Sequence, residues 1–161
     1  MAKPQYLGEI KLKHTNAFSE DLQREIINQH PLSVQQVKQW AQKFKRKNDI
    51  ATAYNVWRYM RKNFKYNRDE PNRQQIFLPS AALHHKKFDC KSYATFAAAI
   101  FSALGIPNGY RFTAYHSKTT PSHIYNFIRL SNGSTLPIDG CYRIFGKEKI
   151  PTFVKNINLK K

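Results

Sequence analysis

Three residue types that together attack a carbonyl occur in this chain in the order Cys90, His123, Asp139. A thiolate at Cys90 would add to a carbonyl carbon and form a thioester. An imidazole at His123 would take up and return the proton, and a carboxylate at Asp139 would hold the ring in one tautomer. The oxyanion formed on attack needs donors. The candidates are the backbone N–H of Cys90 and the side-chain amide of Gln74 or Gln75, just upstream in the chain. A thiol on an apolar helix is commonly core, a histidine at a strand end is commonly surface, and an exposed glutamine is simply solvated. What lifts the set above its members is the placement of the acids. Residues 1 to 70 hold seven of the ten, and the rest of the chain keeps only Asp89, Asp139 and Glu148.

The elements that must position these groups are marked in the sequence. Asp89 is a good N-cap, Gly105 supplies a left-handed stop, and Pro107 cannot continue a helix. Between them nearly every side chain is apolar, so the spacing predicts a helix buried on all sides. Cys90 stands in its first turn, where the helix dipole favours a thiolate. Tyr110 to His116 then alternates with period two, as does His123 to Leu130. Ser131-Asn132-Gly133-Ser134 reads as a hairpin turn into a strand from Thr135 to Asp139. A hairpin there would bring His123 and Asp139 to one edge of a sheet, facing the tip of the helix.

The remaining chain supplies a frame. Tyr6, Ile10 and Leu12 suggest a short edge strand in an irregular start. Ser19 would cap a helix running to about His30, Pro31 would break it, and Ser33 would cap a second from Val34 to about Lys47. Asp49 would start a third helix through Trp57 to Phe64, and Ser80 to Leu83 could form a short one. Residues 140 to 161 read as loop and basic tail, with extended pieces at Tyr142 to Phe145 and Thr152 to Val154. The expected class is α+β: N-terminal helices and a buried central helix with Cys90 at its start, packed on a small antiparallel sheet. One domain is expected over 1–161. It comprises a helical N-terminal extension (1–48), a core (about 50–145) and a basic tail (146–161).

Twenty-seven Lys and Arg against ten Asp and Glu give a net charge of +17. Such a charge favours an anionic partner such as an acidic substrate, nucleic acid or an anionic cell-wall polymer, or serves only as a solubilising surface. His84-His85 is a weak metal signal without the further ligands that a tetrahedral site needs, so neither metal nor cofactor is expected. No apolar run reaches the length of a membrane span, and no secretory signal is visible. A cytoplasmic protein is the expectation. Two cysteines far apart do not make a disulfide framework. If the last strand continued, Cys141 would share a face with Asp139 and could pair with Cys90 under oxidation; otherwise it is a small buried residue.

Asp89-Cys90-Lys91-Ser92, Leu104-Gly105-Ile106-Pro107, His123-Ile124-Tyr125 and Pro137-Ile138-Asp139 together resemble the transglutaminase-like superfamily of papain-related cysteine enzymes. Phe64-Lys65-Tyr66 and the stretch from Ile76 to Pro79 look like members found in phage and prophage genomes. The resemblance implies Cys90, His123 and Asp139 as a catalytic set. It also implies a papain-like core and acyl transfer through a thioester, with hydrolysis of a peptide or amide bond expected over crosslinking. Substrates in view are a peptide or protein, such as cell-wall peptide or a phage protein. The family also contains inactive members. The alternative is a non-catalytic basic protein that binds nucleic acid or another polyanion, or is part of a virion. Phe88 stands where the family often has glycine, which leaves the approach to Cys90 open.

Overall fold

The structure is a computed structural model that describes residues 2–159. Strand β1 (Ile10–Lys13) pairs antiparallel with β3 (Gln74–Phe77), Ile10 opposite Phe77. Helix α1 (Glu20–Asn28) starts at Ser19, whose side chain accepts from Leu22 N, and buries Leu22 and Ile26. The first helix does end close to where Pro31 leads one to expect, at Asn28, but Pro31 opens the next helix rather than a loop. Helix α2 (His30–Val37) contains Pro31 in its first turn, where a missing N–H leaves no bond unmade. Ser33 is therefore not a cap but a buried residue inside α2, and the second half of the expected helix is a 3-10 turn, Trp40–Phe44. Asn48 caps α3 (Asp49–Asn63) through Ala51 N at 2.8 Å.

Strand β2 (Lys65–Tyr66) runs parallel to β4 (Lys87–Phe88), and α4 (Pro79–His85) lies between them in the chain. This pairing brings residues 65–66 to the start of α5 (Cys90–Ala103). Strands β5 (Asn108–Ala114), β6 (His123–Arg129), β7 (Thr135–Ile138) and β8 (Phe153–Asn158) form one antiparallel sheet in the order β7-β6-β5-β8. The β6–β7 hairpin closes as its sequence predicts, with Gly133 at a φ of 85° and its N–H on Leu130 O. The chain assigned to a basic tail contains β8. The extended piece expected at Thr152 to Val154 is the start of this strand; polar Lys155 and Asn156 hide its continuation to Asn158, which pairs with β5 along one edge. Tyr142 to Phe145 is turn and bend rather than extended.

Helix α5 is buried on all sides, as its sequence requires. One apolar cluster, with Trp40, Val56, Met60, Phe64, Phe96 and Ile100, covers one flank. A second, with Phe18, Leu22, Ile26, Ile76, Phe112 and Ile124, covers the other. The helix is tied to the sheet by Asn126, whose amide nitrogen donates to Ala94 O at 3.1 Å. The nucleophile candidate is thus carried on the most enclosed helix of the molecule.

Candidate active site

Cys90 is the first residue of α5 and is 3% exposed. The other amides of that turn are occupied: Lys91 N by the Asp89 carboxylate at 3.2 Å, Ser92 N and Tyr93 N by Asp89 O. The N–H of Cys90 is the one without a protein acceptor among the described residues. His123 opens β6, and its Nε2 lies 2.7 Å from Oδ2 of Asp139. The Cys90 sulfur lies close enough to the ring to raise its pKa. With Nε2 facing Asp139, Nδ1 is the nitrogen left for sulfur. Burial pushes the imidazolium pKa down. The hydrogen bond to Asp139, the neighbouring Cys90 sulfur and the charges of both outweigh that and raise it to about 10.

Asp139 follows the last residue of β7, where the chain turns rather than continuing as a strand. Its Oδ1 accepts from Cys141 N at 2.9 Å, so both carboxylate oxygens are fixed. Trp57 of α3 donates from Nε1 to Asp139 O at 3.0 Å and to Tyr142 O at 3.3 Å. Gly140 packs so closely that a Cβ there would lie 2.8 Å from Tyr93 and 2.9 Å from Met60. Trp57 packs against the core and also clamps the backbone that carries the carboxylate.

Lys91 was not singled out by its type or spacing. Its side chain is only 1% exposed and sits among Asp89, Asp69 (3.3 Å) and Gln74 Oε1 (2.7 Å). Burial raises the Asp89 pKa, against the lowering pull of Lys91. Gln74 reaches the cavity beside Cys90, but its amide nitrogen donates to Glu70 O at 2.7 Å and Pro71 O at 3.2 Å. Both of its N–H donors are thus engaged within the loop. Gln75 is half-buried on β3, its N–H on Asp69 Oδ2 at 2.7 Å, and it lines neither cavity of the site.

Two cavities flank the thiol–imidazole pair and meet at Tyr66 and Ser122. The one on the Cys90 side, about 190 Å³, is lined also by Phe18, Arg68, Asp69 and Lys91. The one on the His123 side, about 390 Å³, is lined also by Tyr115, Asp139, Cys141, Tyr142 and Lys149. Tyr66 is half exposed; burial first, then the neighbouring charges of Cys90 and Asp89, push its hydroxyl pKa up, so it stays a neutral donor. Phe88 faces the core against Phe64, Phe77 and Tyr93 and lines neither cavity, so it does not narrow the approach to Cys90. Cys141 is a free thiol, half-buried in the second cavity, its pKa raised by burial and then by the charges of Asp139 and Cys90. His84 stacks on Tyr6 and His85 meets it edge-on, and no metal-holding group of His, Cys, Asp or Glu occurs among the described residues. No helix among them is long and apolar enough to cross a membrane.

The family model for the transglutaminase-like superfamily matches residues 38–139, a span that contains Cys90, His123 and Asp139 and ends on the last of them. No curated protein matches the sequence. Among solved structures, a candidate cysteine protease from Cytophaga hutchinsonii aligns with a TM-score of 0.57 at 14% identity, over 84% of this chain and 50% of the other. A candidate protease from Parabacteroides distasonis aligns with a TM-score of 0.57 at 11% identity, over 83% of this chain and 28% of the other. The chain therefore spans half or less of the length of either, and at these identities the likeness is one of fold.

Proposed function

The chain belongs to the transglutaminase-like superfamily, and we propose that it is a cysteine-dependent acyl-transfer enzyme that hydrolyses a peptide or amide bond. The observation that carries this reading is the position of His123, hydrogen-bonded through Nε2 to Asp139 and near enough to the Cys90 sulfur at the start of α5 for that sulfur to raise its pKa. A protonated His123 beside a sulfur at the positive end of α5 favours a thiolate–imidazolium pair. The thiolate adds to the carbonyl carbon, and the Cys90 N–H faces the developing oxyanion. As the tetrahedral intermediate collapses, the C–N bond breaks and the imidazolium gives its proton to the leaving nitrogen. Neutral His123 then takes a proton from water as the water oxygen adds to the thioester carbonyl. The C–S bond breaks, an acid leaves, and the thiolate–imidazolium pair is restored. Asp139 stabilises the charged ring in both halves.

The more open cavity on the His123 side gives water a route to the thioester, as hydrolysis requires. Cell-wall peptide and a phage protein both present amides of the required kind. The test is alkylation by iodoacetamide at neutral pH, followed by peptide mass mapping. Cys90 is expected to react at least tenfold faster than free cysteine and faster than Cys141. A Cys90 rate equal to that of free cysteine, unchanged in His123→Ala, would sink the reading.

A further inference from the structure

The leaving half of the substrate must lie over His123, because that ring delivers the proton to the leaving nitrogen. The cavity of about 390 Å³ is therefore the seat of the leaving half, and the smaller one, beside Cys90, holds the acyl half. The two differ in charge. On the acyl side, Arg68 shares its cavity with Asp69 and Asp89. On the leaving side stands Lys149, with Nζ 4.6 Å over the ring of Tyr115 and no carboxylate partner among the described residues.

Neither nearby acid is free to neutralise it. Glu148, its neighbour in the chain, is held by both carboxylate oxygens on Arg111 at 3.1 Å and also accepts from the Tyr125 hydroxyl. Asp139 is committed to His123 and to Cys141 N. Tyr66, Tyr115 and Tyr142 line the rest of this cavity with ring surface. The seat thus has aromatic walls and one uncompensated cation.

We propose that Lys149 selects a carboxylate on the leaving half of the substrate, on the residue that supplies the amine of the cleaved bond. That carboxylate is either an acidic side chain or the free terminus of a short product. The proposal rests on the acyl-enzyme reading above.

By microscopic reversibility, an amine that attacks the thioester occupies the seat of the leaving amine. The probe is p-nitrophenyl acetate: Cys90 Sγ takes the acetyl group and p-nitrophenolate departs. The acetyl-enzyme is then partitioned between water and glutamine amide, glutamate amide or free glutamine, and N-acetyl product is counted against acetate by mass spectrometry. Comparison with Lys149→Gln cancels the intrinsic reactivity of each amine. The wild type should favour the two anionic amines over glutamine amide about fivefold more than Lys149→Gln does, as a rim charge pair worth up to about 1 kcal/mol allows. Lys149→Glu should reverse the preference. An effect on glutamate amide alone points to an acidic side chain, and one on free glutamine alone to a terminal carboxylate. Acetylation of Cys90 with no amine product, or with partition ratios unchanged in Lys149→Gln, overturns this proposal and leaves the acyl-enzyme reading standing. Absence of acetylation at Cys90 overturns both.

Discussion

The two walls of the cleft put their charges to opposite uses. On the Cys90 side, Lys91 is sealed under Asp69, Asp89 and Gln74, and every one of those groups is answered from within. On the His123 side, Lys149 stands at an open cavity with only a tyrosine ring for company. A buried charge holds backbone in place, and an exposed unpaired one is available to a ligand. The first wall orders the loop of residues 67–73 against the tip of α5. The second is open to a ligand. Asp139 belongs to this second wall, clamped by Trp57 and Cys141 N yet hydrogen-bonded to the ring that is proposed to change its charge.

The largest effect should come from that carboxylate. Asp139→Asn keeps the shape but removes the charge behind His123, and turnover should fall by roughly 10⁴-fold, the loss such a change causes in a serine triad. A drop of less than about tenfold would place the carboxylate outside the chemistry. The same variant has a pH signature. His123 is raised from its ordinary 6.5 to about 10, so the folded state holds its proton more tightly than the unfolded chain does. That stabilisation is complete below pH 6.5 and is lost as the pH climbs through about 10. Melting temperatures taken from pH 6 to 10.5 should decline in the wild type over that window and decline less in Asp139→Asn. Parallel curves would contradict the shift.

Next in size is the sealed wall. Lys91→Met removes the cation and leaves two carboxylates buried together, which should cost about 3–5 kcal/mol in urea unfolding. Asp89→Asn in the same background should recover part of the loss, since it takes one of the stranded charges away. If Lys91→Met is neutral, the wall is not held by charge and the contrast between the two sides collapses.

How much of this was legible in the sequence follows the range of the interactions. Helix α5 was readable because Asp89 and Gly105 mark its ends within the helix's own length and the residues between are apolar. The approach of His123 to Asp139 was readable because one tight turn, Asn132-Gly133, joins their strands. Lys91 was not, because its partners Asp69 and Gln74 arrive through the β2–β4 and β1–β3 pairings, which no local pattern announces. Strand β8 was legible only at its start, Thr152 to Val154, for a related reason: as an edge strand it goes on through polar residues that read as tail. Pro31 marked the end of α1 to within two residues, but Ser33 misled because serine has two common uses, cap and small buried residue, and packing of α2 against α5 settled which one applied.

A smaller effect tests the clamp. Trp57→Phe keeps the ring in its half-buried place but removes the Nε1 donor to Asp139 O and Tyr142 O. Stability should drop by about 1 kcal/mol, the net worth of an ordinary hydrogen bond. Turnover should drop by more than that loss of stability accounts for, because the backbone that aims the carboxylate is loosened. Equal wild-type turnover would make Trp57 a packing residue only.

The smallest effect on the fold belongs to the open wall. Lys149→Gln should change the unfolding free energy by no more than about 0.5 kcal/mol, because the lysine has no ion partner to lose and its ring contact is solvated. Its mark should instead appear in the ionic-strength dependence of acyl transfer to an anionic amine. In the wild type, raising the salt from about 0.05 to 0.5 M should weaken the preference for glutamate amide over glutamine amide, since an exposed charge is screened over a few ångströms at that strength. In Lys149→Gln the ratio should be flat in salt. A wild-type ratio that is already flat would mean that Lys149 reaches no ligand, and the two walls would then differ in burial but not in purpose.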